Sequence, residues 1–414
     1  MKIVVYTLGC KVNQYESDGL IHELQQNGHQ VFDELCFADV YIINTCAVTN
    51  EAEKKSRQTI SKCRALNNTA KIIVCGCASQ KNQEQFKNLK VDFIKGTINK
   101  KEIIQNLQTF GTKVDEFPLH YEKDLNIEPS KVRSYIKIQD GCNNFCSYCI
   151  IPYLRGRSRS KNINDILQEV EILQTKVKEI VITGIDITDY KIDNKRALPI
   201  LLQNLKKFKD TRFRLGSLEQ GLIDQNFIDT IKNTNICPHF HLSLQSGSDT
   251  VLKRMNRKYL TKDYLQSINL IKENIPNATI TTDIIVGFPE ETEKEFLETC
   301  EFVKKVGFYN IHIFPYSLRS GTLAEKMLQI DGNIKKQRVS ILTQINNNLN
   351  KDFINKIKDK NFEVLIEEFD GKYYIGHTEN YIKCYISEKC EINEFVKIKI
   401  KEHYKDGAIA QREK

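Results

Sequence analysis

Gly141-Cys142-Asn143-Asn144-Phe145-Cys146-Ser147-Tyr148-Cys149-Ile150-Ile151-Pro152 places three cysteines in C-x3-C-x2-C spacing. One short loop can wrap these thiolates around a single metal centre and still leave that centre one ligand short. Thiolates hold iron–sulfur clusters, and a fourth would complete a 4Fe–4S cube. Three leave one iron open, which a small molecule needs if it is to bind the metal. A zinc site instead pairs C-x2-C with a second Cys or His pair. The next histidine after Cys149 is His239. Three clustered cysteines cannot pair among themselves as disulfides. The loop reads as a cluster site.

Upstream, short apolar runs alternate with amphipathic stretches. Strands are expected at Ile3–Thr7, Val40–Asn44, Ile72–Cys75 and Asp92–Ile94, and helices at Gln14–Gln26, Glu51–Arg64 and Lys100–Gln108. Such alternation predicts a parallel sheet, with ligand sites beyond the carboxyl ends of its strands. Cys10, Cys46 and Cys77 stand at those ends. Adjacent parallel strands lie about 4.8 Å apart, so the three loops can converge on a second cluster. Cys36, Cys63 and Cys75 read as small buried hydrophobes, although Cys75 and Cys77 are hard to separate by position. Buried free cysteine is the competing reading for all six.

Downstream, from Ser134 to about Ser317, a β-then-α pattern repeats about six times. Strands fall at Tyr135–Gln139, Glu179–Thr183, Arg212–Gly216, His239–Leu244, Thr279–Val286 and Asn310–Pro315, with helices such as Ile163–Leu173 and Tyr264–Asn274 between them. The strand ends are polar: Gly184 and Asp186, Ser217 and Glu219, Gln245 and Ser246, and Gly287. They suit a nucleoside-like cofactor or serve as plain loop and cap residues. His239 and His241 share one strand face, as core histidines or as barrel lining.

Beyond a connecting helix at Ile334–Lys358, four segments alternate at strand spacing: Phe362–Glu367, Tyr373–His377, Ile382–Ile386 and Val396–Lys401. They predict a small β-barrel with Tyr373, Tyr374, Tyr381 and Tyr385 available for base stacking or for barrel packing. Two basic clusters follow strand ends on the side expected to carry the chemistry. Arg155, Arg157 and Arg159 form one, and Arg254, Arg257 and Lys258 the other. Both are candidate RNA contacts, with solvation the alternative. Lys54-Lys55-Ser56-Arg57 reads as a solvated helix face.

The chain has 414 residues, 13 cysteines, a net charge of +8 and 40% hydrophobic residues. It is long enough for two or three domains. No apolar run approaches a bilayer-spanning length, and Met1–Tyr6 enters a strand without a signal sequence. Many thiols without a signal sequence predict a cytoplasmic protein whose cysteines serve metals. The charge fits a polyanionic partner without requiring one.

The C-x3-C-x2-C loop resembles that of radical S-adenosylmethionine (SAM) enzymes. In these the open iron binds SAM, and the reduced cluster cleaves it to methionine and a 5′-deoxyadenosyl radical. The segments Thr7–Ser17, Ile43–Cys46 and Gly76–Ala78 resemble the amino-terminal domain of the methylthiotransferases. The wording Gly9-Cys10-Lys11-Val12-Asn13 is similar to the branch acting on N6-threonylcarbamoyladenosine in tRNA. The isopentenyladenosine branch tends to read Gly-Cys-Gln-Met-Asn there, and the ribosomal-protein branch Gly-Cys-Pro-Lys-Asn.

The resemblance implies an α/β chain in three parts. A parallel α/β cluster-binding domain would span 1–110, a partial (β/α)6 radical SAM barrel 128–355, and a TRAM-like β-barrel that binds RNA 356–414. It implies two 4Fe–4S clusters, on Cys10, Cys46 and Cys77 and on Cys142, Cys146 and Cys149, with SAM held by Gly184, Asp186, Ser217, Glu219, Gln245, Ser246 and Gly287. Thr183-Gly184-Ile185-Asp186 replaces the family's Gly-Gly-Glu type of turn, and Glu290 stands where the family more often has Gly. The activity implied is conversion of N6-threonylcarbamoyladenosine-37 of tRNA to its 2-methylthio derivative. One SAM would yield the radical and another the methyl group, with sulfur arriving through the first cluster. A low-potential flavodoxin or ferredoxin would supply electrons. The alternatives are another branch of the family, or an iron–sulfur RNA-binding or redox-sensing protein without turnover.

Overall fold

The computed structural model describes residues 1–129 and 131–413. Its first unit is a six-stranded parallel sheet in the order β2-β1-β3-β4-β5-β6. The strands are β1 (Lys2–Thr7), β2 (Gln30–Phe32), β3 (Val40–Thr45), β4 (Lys71–Gly76), β5 (Phe93–Lys95) and β6 (Gly111–Lys113). Both faces are covered, which is why β3 reads as a continuous apolar run. Ile43, Ile72 and Val74 pack against helix α2 (Asn50–Leu66) on one side. Val5, Ile42, Ile73 and Cys75 pack against α1 (Lys11–Gln26) on the other. The helix expected over Lys100–Gln108 is only Glu102–Gln105. Asn106 ends it by donating its side-chain amide back to the Glu102 carbonyl (2.6 Å), the local competition that Asn offers a helix.

The central unit carries six parallel strands in two sheets. These are β7 (Arg133–Asp140), β9 (Glu179–Gly184), β12 (Arg212–Leu215), β13 (His239–His241), β14 (Thr279–Val286) and β15 (Asn310–Pro315). Single parallel bridges, Phe213 to Ile236 and Leu218 to Leu242, join the halves into one partial barrel. The short strand β8 (Arg159–Ser160) pairs antiparallel with the end of β7. A small hairpin, β10 (Lys191–Ile192) with β11 (Lys195–Arg196), follows β9. Both were absent from the sequence reading, being too short to show a period. One large apolar core joins strands and helices of this unit.

The helix Gly332–Lys356 leads into a closed five-stranded barrel in the order β16-β17-β18-β20-β19. Its strands are β16 (Asn361–Phe369), β17 (Tyr374–Thr378), β18 (Lys383–Ile386), β19 (Phe395–Tyr404) and β20 (Gly407–Arg412). This barrel docks against the amino ends of the central strands. There Arg133 and Arg214 pair with Glu179, Arg133 also pairs with Glu367, and Arg214 donates to the Thr378 carbonyl (3.2 Å). Among the described residues, no helix is long and apolar enough to cross a membrane.

Candidate active site

Strand pairing brings the first three cysteines together. β1, β3 and β4 are neighbours in register, and Cys10, Cys46 and Cys77 follow their carboxyl ends. Cys10 is the residue before α1, and Cys77 opens the short helix α3 (Cys77–Lys81). Gly9 makes the approach possible: with φ +105°, an added Cβ would stand 2.7 Å from the Cys46 Cβ and 2.8 Å from its Sγ. Only Gly takes that backbone without strain. Cys75 is turned to the α1 face, fully buried among Val5, Leu20 and Ile73. It lies one residue before the end of β4, on the face packed against α1.

The second triplet is held in a pinned loop. Gly141 (φ +72°) passes so close to the returning chain that a Cβ would meet the Arg157 carbonyl at 2.0 Å. Ser147 donates its backbone N–H to Met255 O (3.0 Å) and its hydroxyl to Arg254 O (2.7 Å), and Asn256 donates to Phe145 O (2.9 Å). Two donors address the sulfurs: Asn144 N–H to Cys142 Sγ and Arg257 Nη1 to Cys146 Sγ, both 3.4 Å. Hydrogen bonds of this kind tune a cluster's potential.

Both triplets suit clusters better than single ions. About 2.3 Å per zinc–sulfur bond would bring tetrahedral thiolates to roughly 3.8 Å from one another. Neither triplet has all three Sγ atoms within 4.8 Å of one another. Burial pushes the Cys46 thiol up to about 12, with Cys77 and Cys10 adding to the effect. Burial does the same to Cys142 and Cys149, each to about 12. Such thiols are inert when free and ionise on a metal. Burial also raises Cys77, against the lowering effect of the Arg155 guanidinium beside it. The Arg155 Nε is buried without a partner among the described residues, a donor whose need a cluster sulfur would meet.

Arg155 corrects the sequence reading. The charge pattern made it an RNA contact, but it is fully buried. Its Nη1 lies 2.9 Å from Glu16 and 3.1 Å from Asp140, and its Nη2 donates to Asn13 Oδ1 (2.8 Å). Glu16 also pairs with Lys100 and, at 3.3 Å, with Lys137. The Arg155 charge holds both carboxyls below their usual range despite burial. The first unit, strand β7 and the chain leaving the second triplet therefore share one buried network. Cys149 lies within electrostatic reach of Cys77 across this junction.

Other basic candidates are likewise committed. Arg159 is buried and donates to the Arg157 and Arg155 carbonyls. Arg254 chelates Glu295 (2.8 Å), and Arg257, with a side chain 4% exposed, pairs with Glu219. Arg157 and Lys258 remain exposed, although Arg157 lies over the Phe145 ring at 4.5 Å.

The expected SAM contacts divide. Asp186 accepts from Asn144 (3.0 Å) at the edge of the second triplet's loop. Burial, with the Glu219 and Asp189 carboxylates, raises it to about 6. Ser217 and Gly184 line a cavity of about 600 Å³ that also contains Cys10. Gln245 lines an adjoining one of about 250 Å³ with Cys149. The two share Asp283 and Phe314. Ser246 and Gly287 are corrections. The Ser246 hydroxyl is buried against Thr299 (3.2 Å), and the space beside Gly287 is filled by Lys335.

His239 and His241 do line the larger cavity, and both bond to Thr281 Oγ1, at 2.9 and 3.0 Å. Of the expected stacking tyrosines, Tyr385 is buried and Tyr381 is spent. Tyr381 is clamped between His239 and His377, 4.6 Å from each ring. The sequence reading passed over Asp283 and His312 and took Lys11 only as part of the Gly9–Asn13 wording; all three stand in the same cavity wall.

A model of the Radical SAM superfamily matches residues 136–303, and one described as Uncharacterized protein family UPF0004 matches residues 2–96. A threonylcarbamoyladenosine tRNA methylthiotransferase MtaB of Aquifex aeolicus is 37% identical over 97% of this chain and 100% of its own. The protein of that description from Thermotoga maritima is 38% identical over 100% and 97%. Among solved structures, the radical SAM methyltransferase TsrM of Kitasatospora setae, with cobalamin and a 4Fe–4S cluster bound, covers 76% of this chain and 74% of its own. Its TM-score is 0.55 at 14% identity, a likeness of fold alone. Full-length identity to methylthiotransferases, with both matched models in their places, settles the family: this chain belongs to the radical SAM methylthiotransferases.

Proposed function

We propose that the protein converts N6-threonylcarbamoyladenosine beside the tRNA anticodon to its 2-methylthio derivative. The observation that carries this reading is the end-to-end identity, at 37% and 38%, to relatives described by that substrate. Radical SAM chemistry supplies the means: a 4Fe–4S cluster and SAM generate the radical, and a second cluster supports sulfur delivery.

The chain's own residues then have distinct tasks. Cys142, Cys146 and Cys149 hold the SAM-binding cluster, and Cys10, Cys46 and Cys77 hold the other. Asp186 accepts from the SAM ammonium, and Ser217, Gly184 and Gln245 line its berth. Arg257 and the Asn144 N–H donate to ligand sulfurs. Arg155 fixes the two triplets relative to each other through Glu16, Asp140 and Asn13. The first unit (1–110) is assigned to cluster binding, 128–355 to radical chemistry and 356–414 to RNA contact. Exposed Arg157 and Lys258 are the remaining phosphate candidates from the basic clusters. We place the reaction in the cytoplasm, with a low-potential flavodoxin or ferredoxin as electron donor.

Nucleoside analysis tests the reading. Anaerobically reconstituted protein with SAM and a reductant should methylthiolate tRNA carrying N6-threonylcarbamoyladenosine. Methylthiolation of isopentenyladenosine tRNA or of a ribosomal protein instead would reassign the branch.

A further inference from the structure

The cavity of about 600 Å³ lies inside the central barrel. It runs from Thr183 and Ser217 at the carboxyl ends of β9 and β12, past the inner faces of β13–β15, to Tyr381 of the carboxyl-terminal barrel. Its charges are nearly all matched. Lys383 pairs with Asp406 (3.1 Å) and His377 with Glu367 (2.6 Å). Asp283 is bonded on both oxygens, to His241 Nε2 (3.1 Å) and His312 Nδ1 (3.2 Å). Arg214 and Arg133, behind the wall, share Glu179.

Lys11 is the exception. It lines the cavity beside Cys10 and keeps accessible surface there. Yet its ammonium has no carboxylate within 4.0 Å among the described residues, and Asp283 is already held by two imidazoles. A cation without a direct ion pair in a concave wall favours an anion. The ligand must also be large enough to reach Lys11 while its reacting atom stays near Cys10.

We propose that Lys11 receives the carboxylate of the threonylcarbamoyl arm and so selects the modified nucleoside over uncharged N6-substituted ones. This rests on the reading that the substrate is threonylcarbamoyladenosine RNA. The arm leaves the purine at N6, close to C2, so a cation in the cavity that Cys10 also lines can hold the arm while C2 faces the clusters. His312, whose other ring nitrogen is free of Asp283, stands in the same wall as a second polar contact.

The test uses reconstituted holoenzyme and two stem-loop RNAs, one with N6-threonylcarbamoyladenosine and one with its threonine methyl ester, which removes the charge and adds one methyl group. Wild-type protein should prefer the acid, with KM and equilibrium Kd lower by roughly ten- to hundredfold, the range of a charge-assisted hydrogen bond. Lys11→Gln should abolish that preference by weakening the acid alone, and Lys11→Arg should retain most of it. Iron content and KM for SAM should be unchanged in both variants. Equal use of acid and ester by the wild type overturns the proposal without needing any variant. So does a Lys11→Gln protein that still discriminates, or one whose defect lies in the KM for SAM. If the wild type methylthiolates neither RNA, the reading of the substrate fails instead.

Discussion

The two cysteine triplets reach one chemistry by opposite routes. Cys142, Cys146 and Cys149 lie within eight residues of one loop, so local pinning by Ser147 and Asn256 is enough to shape their site. Cys10, Cys46 and Cys77 come from three βα turns, and only the order β1-β3-β4 makes them neighbours. A loop site stands or falls with its few anchors. A strand-end site inherits the rigidity of the whole sheet but loses it if the sheet is disturbed. Arg155 joins the two, since it leaves the second triplet by one turn of helix and ends beside Cys77.

The sharpest way to break this comparison is to remove the loop triplet. Replacing Cys142, Cys146 and Cys149 by Ala should leave about half of roughly eight irons and abolish 5′-deoxyadenosine formation, with little change in folding. Iron analysis and product chromatography read both. Retained SAM cleavage would mean that the loop does not carry the SAM-binding cluster.

Next in size is the tie between them. Arg155→Met takes the strongest cation from Glu16 and Asp140 but leaves them Lys137, and Glu16 also Lys100, so the loss should stay below the about 3–5 kcal/mol of a fully broken buried pair. Guanidinium unfolding should show that loss. Both carboxyls are held below their usual range, so their contribution is present at neutral pH and above the unfolded carboxylate range. It is lost as pH falls through their depressed values, below roughly 4. The variant should therefore lose part of the acid-limb dependence of stability, the rest belonging to other depressed carboxyls such as Glu179 and Glu295.

A smaller effect concerns Asp186. Its carboxyl is raised to about 6, so acceptance from the SAM ammonium requires pH above that value. Affinity for SAM should rise up to tenfold per pH unit on approach to pH 6 and level off beyond it. Asp186→Asn should bind more weakly and without that slope. For stability the sign is reversed, because the folded state is the better proton binder. Asp186 therefore costs stability increasingly between its ordinary 3.8 and about 6.

The smallest expected change is at Glu290, in the turn after β14. Its φ is +63° and it is exposed, where a non-Gly residue is strained. Glu290→Gly should stabilise by no more than about 1 kcal/mol, since relief of the left-handed backbone is partly offset by a looser unfolded chain. Thermal unfolding would show it as a shift of a few degrees or less.

Much of this was legible in the sequence because it rests on short periods. The C-x3-C-x2-C loop needs no tertiary knowledge, and β/α alternation puts Cys10, Cys46 and a cysteine of the Cys75–Cys77 pair at strand ends, while the facing of Cys75 toward α1 shows only in the packed sheet. Strand β20 escaped because Gly407, Ala408 and Ala410 give little apolar contrast. The basic clusters misled for a different reason. A charge's partner can be far along the chain, as Glu16 is from Arg155, and sequence shows the charge but not the pairing. For Tyr381 the sequence leaves base stacking and packing open, and the ring of His239, which reaches it from another unit, decides for packing. Lys11 stands in the sequence only as a letter of the Gly9–Asn13 wording, because its lack of a direct ion pair is a property that only the assembled cavity reveals.

The central claim is that the two triplets divide the labour, and one reaction tests it. Cys46→Ala holoenzyme, given SAM, reductant and threonylcarbamoyladenosine tRNA, should still form 5′-deoxyadenosine while yielding no methylthio nucleoside. Equal loss of both products would contradict the account, since the strand-end triplet would then serve only to hold the fold.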